Sequence, residues 1–155
     1  RQPFTAESLA LTTQDGVTIP ALFINNHSNR VVVLGTSCLQ DGLSKMRCFA
    51  ARLIRAGYDI MMFDYRWHAE DLDITLWSSL LHPIEQLVEI EKNEVAAVIQ
   101  YLKNHNPNYT DIIGLGQCYS CYTFASAQVH AQKNGVSCFT KLIFDSPWFI
   151  LTPYN

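Results

Sequence analysis

The fold is decided around residues 111–121, which read DIIGLGQCYSC. The uninterrupted apolar run that opens this stretch is typical of a strand covered on both faces, as in a parallel sheet. Gly116 and Ser120 are small residues placed two before and two after Cys118. They allow a strand and a following helix to pass closely at a strained corner. The stretch therefore predicts a strand, a tight turn at Cys118 and then a helix.

Outward from this corner, short strand-like runs alternate with longer helical stretches, which indicates an α/β protein. The Asp15-Gly16 pair supplies the positive-φ turn of an N-terminal antiparallel hairpin. Ser44 can cap the first helix and Gly57 can end it, while Pro83 suits the first turn of the second helix. Gly135 can end the third helix. We predict hairpin strands at 6–12 and 17–24, parallel strands at 31–34, 58–63, 112–115 and 139–144, and helices starting near 44, 83 and 119.

Three strand-helix-strand crossovers in succession predict a mostly parallel sheet with helices on both faces. The 155 residues, 48% of them hydrophobic, suit one domain spanning 1–155. A net charge of -3 without a basic cluster argues against nucleic acid as a partner. Apolar runs fall short of the roughly 20 residues that span a bilayer, so we expect no membrane partner.

The five cysteines form an odd, scattered set, which favours free thiols in a reducing cytoplasm. Metal-ligand spacings are missing, so we expect no metal. Gly114 and Gly116 begin a dinucleotide-binding pattern, but Tyr119 stands where its third glycine belongs. We therefore expect no cofactor.

In parallel sheets ligands collect at the carboxyl ends of the strands, which directs attention to Cys118. At a helix N-terminus a cysteine is favoured as the nucleophilic thiolate. The backbone N–H of Tyr119, and one near Thr36 after the first parallel strand, can stabilise a developing oxyanion. Asp145 ends the fourth parallel strand and is a candidate acid, or else it caps the next loop.

The element order and residues 64–71, which read DYRWHAED, resemble the α/β-hydrolase segment D-x-R-G-x-G-x-S. Trp67, Ala69 and Asp71 depart from the two glycines and the serine of that pattern. A cysteine in the nucleophile elbow is similar to dienelactone hydrolases and polyhydroxyalkanoate synthases, although both typically have glycine at the position of Ser120. The His-Gly pair often found before the oxyanion loop is also altered, with Leu34 in place of the histidine.

This resemblance implies a hydrolase or acyltransferase that acts on a small-molecule ester, lactone or thioester through an acyl-cysteine intermediate. It also implies a histidine after the last strand of the fold and an acid after the strand that precedes it. The chain ends at Asn155, before either of these two strands. We therefore expect the N-terminal half of the fold, with the last strands and any cap supplied elsewhere. Because the strand ending at Phe144 would leave an open apolar edge, we expect a C-terminal segment or a second chain to complete the sheet.

Other interpretations stay open at this stage. Cys118 is also compatible with an inert core thiol, and with Cys121 it forms a C-x-x-C pair that suits redox chemistry. Cys121 is more simply a small helix residue near the elbow. A hydrolase-like protein that has lost catalysis and serves as a binding or scaffold protein is the rival to an enzyme.

Polar and aromatic residues away from the elbow have plainer interpretations. His68 either lines the pocket or lies in a surface loop, and Trp148 and Phe149 either begin a lid or pack in the core. The charged residues of the second helix are interpreted as its solvated face; they are Glu85, Glu89, Glu91, Lys92 and Glu94.

Overall fold

The computed structural model describes residues 5–35, 46–66 and 84–146. Strands and helices alternate through these ranges as the apolar pattern predicts. The elements are β1 (Thr5–Thr12), β2 (Thr18–Asn25), β3 (Arg30–Gly35), α1 (Arg47–Arg55), β4 (Asp59–Phe63), α2 (Ile84–His105), β5 (Asp111–Gln117), α3 (Ser120–Lys133) and β6 (Lys141–Asp145).

These strands form one sheet in the order β1-β2-β4-β3-β5-β6. β1 pairs antiparallel with β2, and β2 pairs antiparallel with β4. The pairs β3–β4, β3–β5 and β5–β6 are all parallel. The predicted parallel sheet with an antiparallel N-terminal hairpin is confirmed.

The turns that the sequence assigns to glycine have the expected backbone. Gly16, between β1 and β2, has φ of 86°, and Gly57 and Gly135, after α1 and α3, have φ of 88° and 72°. α1 begins at Arg47 with Met46 as its N-cap residue. The predicted cap Ser44 and the predicted first-turn Pro83 lie outside the described residues.

Apolar side chains fill both faces of the sheet. Alternate residues of β3 point to opposite sides, because successive side chains of a strand alternate. Val31 and Val33 join a core with the helices α2 and α3, while Val32 and Leu34 join a second core with α1. Helices therefore cover both faces, which explains why β3 reads as a continuous apolar run.

One prediction about α2 is wrong: two of its charged residues are buried rather than solvated. Glu91 is 2% exposed and Glu94 is 0% exposed. Glu89, by contrast, is exposed and pairs with Lys92 at 2.5 Å. Glu91 lies three residues after Val88 and four before Val95, so it falls on the apolar stripe that faces the core.

β6 forms one margin of the sheet in the described part of the chain, and its apolar side chains are open. Ile143 is 51% exposed and Phe144 is 44% exposed. The open apolar edge that the sequence predicts is present here.

Among the described helices, none has the length and apolar character that crossing a bilayer requires.

Candidate active site

The strand order makes the pair β3 and β5 the point where the chain connections of the sheet diverge. The chain leaves β3 toward β4 on one side and leaves β5 toward β6 on the other, so the two connections diverge. Ligands bind in parallel sheets where such connections diverge, beyond the carboxyl ends of the strands. Gly35 and Gly116 pair in register at these ends, and Cys118 lies two residues beyond Gly116. The topology thus places Cys118 beside the point of divergence.

Cys118 forms the corner between β5 and α3. Its φ is 53°, in the left-handed region that L-residues with a side chain seldom enter. Its N–H donates a hydrogen bond of 3.0 Å to the carbonyl oxygen of Asp145, which ends β6. The side chain is partly exposed, and the residue follows the strand directly. The strain is therefore at the cysteine itself, as in the turn that the sequence predicts.

Gly116 and Gly35 are required by close packing at this corner. A Cβ atom on Gly116 would lie 2.9 Å from the carbonyl oxygen of Ser120 and 3.0 Å from the amide nitrogen of Cys121. A Cβ atom on Gly35 would lie 2.7 Å from the Cβ of Ser120 and 2.5 Å from the ring of Phe124. Both strands can approach α3 only without side chains at these positions.

Cys121 packs beneath the corner, as the simpler interpretation of this residue has it. It is 3% exposed. Its thiol donates to the carbonyl oxygen of Gly116 at 3.2 Å and is 3.7 Å from that of Asp145. Burial raises the pKa of the Cys121 thiol above its ordinary value.

Asp145 lies against the corner through both its backbone and its side chain. The Nε2 of Gln117 donates to the Oδ2 of Asp145 at 3.2 Å, and the hydroxyl of Ser146 donates to its Oδ1 at 3.1 Å. The carboxylate thus has two neighbouring polar groups as partners. Its role as an acid stays a prediction.

Of the two predicted oxyanion donors, the structure describes only the one at Tyr119. Tyr119 is the N-cap residue of α3, so its amide directly follows the sulfur-bearing residue. Thr36 directly follows Gly35, but it lies outside the described residues. His68, Trp148 and Phe149 also lie outside them.

The described histidines lie away from Cys118. His27 precedes β3 and His105 ends α2, which places both at the amino ends of the parallel strands. The ring of His105 packs at 4.7 Å from that of Phe23. His130 lies ten residues along α3 from Ser120, or about 15 Å at the rise of an α-helix. Within the described ranges, then, the sheet's carboxyl edge has no histidine to act as a base.

A buried polar cluster beneath the first turn of α3 was not predicted. The hydroxyl of Tyr65 contacts the Oγ of Ser120 at 2.8 Å and the Oγ1 of Thr123 at 2.5 Å. The phenol of Tyr119 donates to the carboxylate of Glu91. Burial raises the pKa of the Tyr65 phenol far above its ordinary value, so it is protonated. The signal that could have found Glu91 is its place on the apolar stripe of α2.

Grooves on the described surface include two that Cys118 does not line. One of about 210 Å³ lies between α2 and α3, and one of about 390 Å³ lies near the start of β5. Lys103, Ser137 and Cys138 line both of them. Burial raises the pKa of the Cys138 thiol. Across the described ranges no three histidine, cysteine or acidic side chains are grouped to hold a metal.

Comparison with known proteins identifies the fold. No protein-family model matches the chain, and no curated protein matches it either. An esterase of Pyrococcus furiosus, Pf2001, matches 96% of this chain and 53% of its own at 19% identity, with a TM-score of 0.73. The carboxylesterase EstE1, cloned from a metagenomic library, matches 99% of this chain and 50% of its own at 12% identity, with a TM-score of 0.68.

A fungal protein extends the comparison. Carboxyl esterase 2 of Tuber melanosporum matches 95% of this chain and 46% of its own at 17% identity, with a TM-score of 0.65. The chain therefore spans about half the length of the esterases it matches. At these identities the likeness establishes the fold alone, which is the α/β-hydrolase fold expected from the sequence.

Proposed function

We propose that this chain provides the nucleophile of a hydrolase or acyltransferase that acts on a carboxylic ester, lactone or thioester, with Cys118 as that nucleophile. The observation that carries the proposal is the left-handed corner at Cys118, at the carboxyl end of β5 and beside the point where the connections diverge. A strained corner of this kind presents a nucleophile above an α/β sheet. The likeness of the fold to carboxylesterases supports this class of substrate.

The proposed chemistry begins with attack of the Cys118 thiolate on the carbonyl carbon of the substrate. A sulfur–carbon bond forms, and the amide of Tyr119 stabilises the oxyanion together with the Thr36 amide. The bond to the leaving group then breaks, and the leaving alcohol or thiol takes a proton from a general acid. Water, or an acceptor alcohol, attacks the resulting acyl-cysteine and releases the thiolate.

We place the general base outside the described residues, since their histidines lie elsewhere. Asp145 is the candidate triad acid within them, and its backbone carbonyl oxygen accepts the N–H of Cys118, which holds the residue beside the corner. We propose that additional polypeptide, as a C-terminal segment or a second chain, adds strands beside β6 and brings the histidine. Exposed Ile143 and Phe144 support this addition. The described cysteines are free thiols, and free thiols fit a cytoplasmic location.

Acylation by p-nitrophenyl acetate tests the proposal. We expect a burst of p-nitrophenolate and an acetyl group on the Cys118 peptide, detected by mass spectrometry. The Cys118→Ala variant should lose both, and Cys138→Ala is the matched control that should keep both. If acetyl groups appear equally on both cysteines, or on neither, the proposed function is wrong.

Iodoacetamide separates the enzyme from its rival. A nucleophilic Cys118 should be alkylated at neutral pH faster than Cys138, whose thiol is kept protonated by burial. The rival, a binding or scaffold protein with the hydrolase fold, is favoured by Leu34 before Gly35 and by Trp67 in place of a glycine of the family pattern. It predicts that Cys118 is alkylated no faster than Cys138.

A further inference from the structure

Three buried polar contacts hold the first turn of α3 to its neighbours. The hydroxyl of Tyr65, after β4, contacts Ser120 at 2.8 Å and Thr123 at 2.5 Å. The phenol of Tyr119 donates to Glu91 on α2. The rings of Tyr65 and Tyr119 also meet edge to face, with centroids 5.7 Å apart. The turn that follows the candidate nucleophile is therefore fixed from two separate elements.

Burying these polar groups in the core costs free energy, so their position beneath the first turn of α3 calls for an explanation. Glu91 is 2% exposed and Tyr65 is 1% exposed, and an apolar side chain at Glu91 would satisfy the stripe of α2. Burying a carboxyl or hydroxyl group without a partner is strongly unfavourable, so such groups fix the geometry of the atoms they bond. Here the bonded atoms belong to the three residues 119, 120 and 123.

The same turn bears the groups proposed for the reaction. Tyr119 follows Cys118 directly, and the carbonyl oxygen of Cys118 accepts the N–H of Cys121 at 3.2 Å. A displacement of this turn moves the sulfur and the Tyr119 amide relative to each other. Misplacement by about 1 Å is enough to slow an enzymatic reaction by a large factor.

We infer that Glu91 and Tyr65 are positioning residues for the candidate active site: through Tyr119, Ser120 and Thr123 they fix the sulfur of Cys118 against the oxyanion-binding amide. This inference rests on the proposed function of Cys118. Both side chains are buried, so each acts through the first turn of α3.

The chain offers a matched control at the opposite end of the sheet. The phenol of Tyr109 donates to the carboxylate of Asp59 at 2.6 Å, and Asp59 is 2% exposed. Asp59 begins β4, and Tyr109 precedes β5, so this pair lies at the amino ends of the strands. Tyr109→Phe and Tyr119→Phe thus each remove one tyrosine–carboxylate bond, and only the second lies beside Cys118.

The experiment measures two rates in the full chain: acylation of Cys118 by p-nitrophenyl acetate and its alkylation by iodoacetamide, each across pH. We expect Tyr119→Phe to slow acylation roughly tenfold to a hundredfold. Tyr109→Phe should change it less than about twofold, although both variants lose stability to urea. Equal rates in the two variants would overturn the inference.

Conservative replacement of Glu91 distinguishes a positioning role from a general loss of stability. Glu91→Gln keeps an oxygen that accepts from the phenol, so it should keep most of the acylation rate. Glu91→Leu should lose as much of the rate as Tyr119→Phe does. If Glu91→Leu retains the rate of the parent chain, Glu91 is not a positioning residue.

Two further variants cover the case in which a change at Glu91 or Tyr119 prevents folding. Tyr65→Phe and Thr123→Val each remove one hydroxyl and keep the shape of the side chain, and both should slow acylation. The acylation and alkylation rates also test the proposed function and the positioning role separately. A parent chain whose Cys118 is alkylated quickly but never acylated contradicts the proposed function, whereas unchanged rates in all variants contradict the positioning.

Discussion

Cys118 holds a backbone conformation that costs free energy, and the surrounding contacts show how the fold maintains it. The left-handed region costs an L-residue roughly 1–2 kcal/mol relative to the right-handed one. The hydrogen bond from the Cys118 N–H to Asp145 and the packing of α3 on Gly116 hold the corner in place. Strained residues of this kind cluster at active sites, which agrees with the role proposed for Cys118.

Replacement of Cys118 tests the strain directly. Cys118→Gly should be more stable than Cys118→Ala by about 1 kcal/mol, because glycine enters the left-handed region without a Cβ clash. Urea unfolding measures the difference. At exposed His130, within α3, the order should reverse, with the glycine variant about 1 kcal/mol less stable than the alanine variant. The same order at both positions would contradict a left-handed Cys118.

Two glycines on β5 separate backbone crowding from side-chain crowding. A methyl group on Gly116 meets the backbone of α3, so Gly116→Ala should cost about 1–3 kcal/mol and slow the alkylation of Cys118. A methyl group on Gly114 would meet the Leu142 side chain at 2.7 Å and ring atoms of Phe124 at 3.0 Å, which can shift. Gly114→Ala should therefore leave the alkylation rate unchanged. Equal slowing in both would contradict the close approach at Gly116.

At the scale of elements, Arg66 joins three parts of the fold. Its Nε donates to Glu94 on α2 at 2.5 Å, and its Nη1 donates at 2.7 Å to Asp15 in the β1–β2 turn. Burial lowers the pKa of Arg66, but the two carboxylates outweigh this effect and raise it above its ordinary value. Arg66 is therefore charged and links β4 to the hairpin and to the helix.

The two ion pairs should differ greatly in their effect on stability. Glu94 is 0% exposed, so Arg66→Met leaves a buried carboxylate without its cation and should cost about 3–5 kcal/mol. Asp15→Asn breaks only the exposed pair and should cost about 1 kcal/mol or less. Urea unfolding at neutral pH compares them. Similar costs for both would mean that the Arg66–Glu94 pair is not buried in solution.

Asp15 also predicts a dependence of stability on acid pH. Hydrogen bonds from Arg66, and then from Thr13, lower the pKa of Asp15 from 3.8 to about 2. A lowered pKa in the folded state means that the contact stabilises the fold above about pH 4 and is lost as the pH falls toward 2. The difference in unfolding free energy between the parent chain and Asp15→Asn should shrink over this interval. A constant difference would contradict the contact.

The elements themselves could largely be predicted from the sequence, because their signals are local. Apolar runs marked β3, β4 and β5, and Gly16, Gly57 and Gly135 marked turns with positive φ. The charged residues of α2 were harder to place. Glu91 and Glu94 are buried because partners distant in sequence, Tyr119 and Arg66, contact them, and such pairings depend on tertiary structure.

The sequence predicts the corner at Cys118, but it does not predict the buried polar contacts that hold the first turn of α3. The spacing of Gly116, Cys118 and Ser120 predicts the corner, because close packing of a strand on a helix demands small residues there. Tyr65 carries no comparable signal, since a buried tyrosine serves most often as core. Its contacts with the first turn of α3 follow only from the parallel alignment of β4, β3 and β5.

At the scale of the whole molecule, the two margins of the sheet that the described strands form differ. β1 forms one margin, and its residues are mostly exposed and partly polar. β6 forms the other, and three of its five residues are exposed, among them Ile143 and Phe144. An exposed apolar edge strand presents unpaired backbone N–H and C=O groups and apolar side chains, and both favour pairing with a further strand. The proposed addition of strands at β6 would pair these backbone groups and bury these side chains.

This proposal predicts how the 155-residue chain behaves by itself. We expect self-association through β6, measured by sedimentation velocity, because pairing of exposed edges satisfies the backbone and buries Ile143. Ile143→Lys should shift the population toward monomer, since charged edge residues oppose such pairing. Phe49→Lys, on the partly exposed face of α1, is the matched control and should leave association unchanged. A monodisperse monomer of 17.6 kDa before any substitution would contradict the need for further strands at β6.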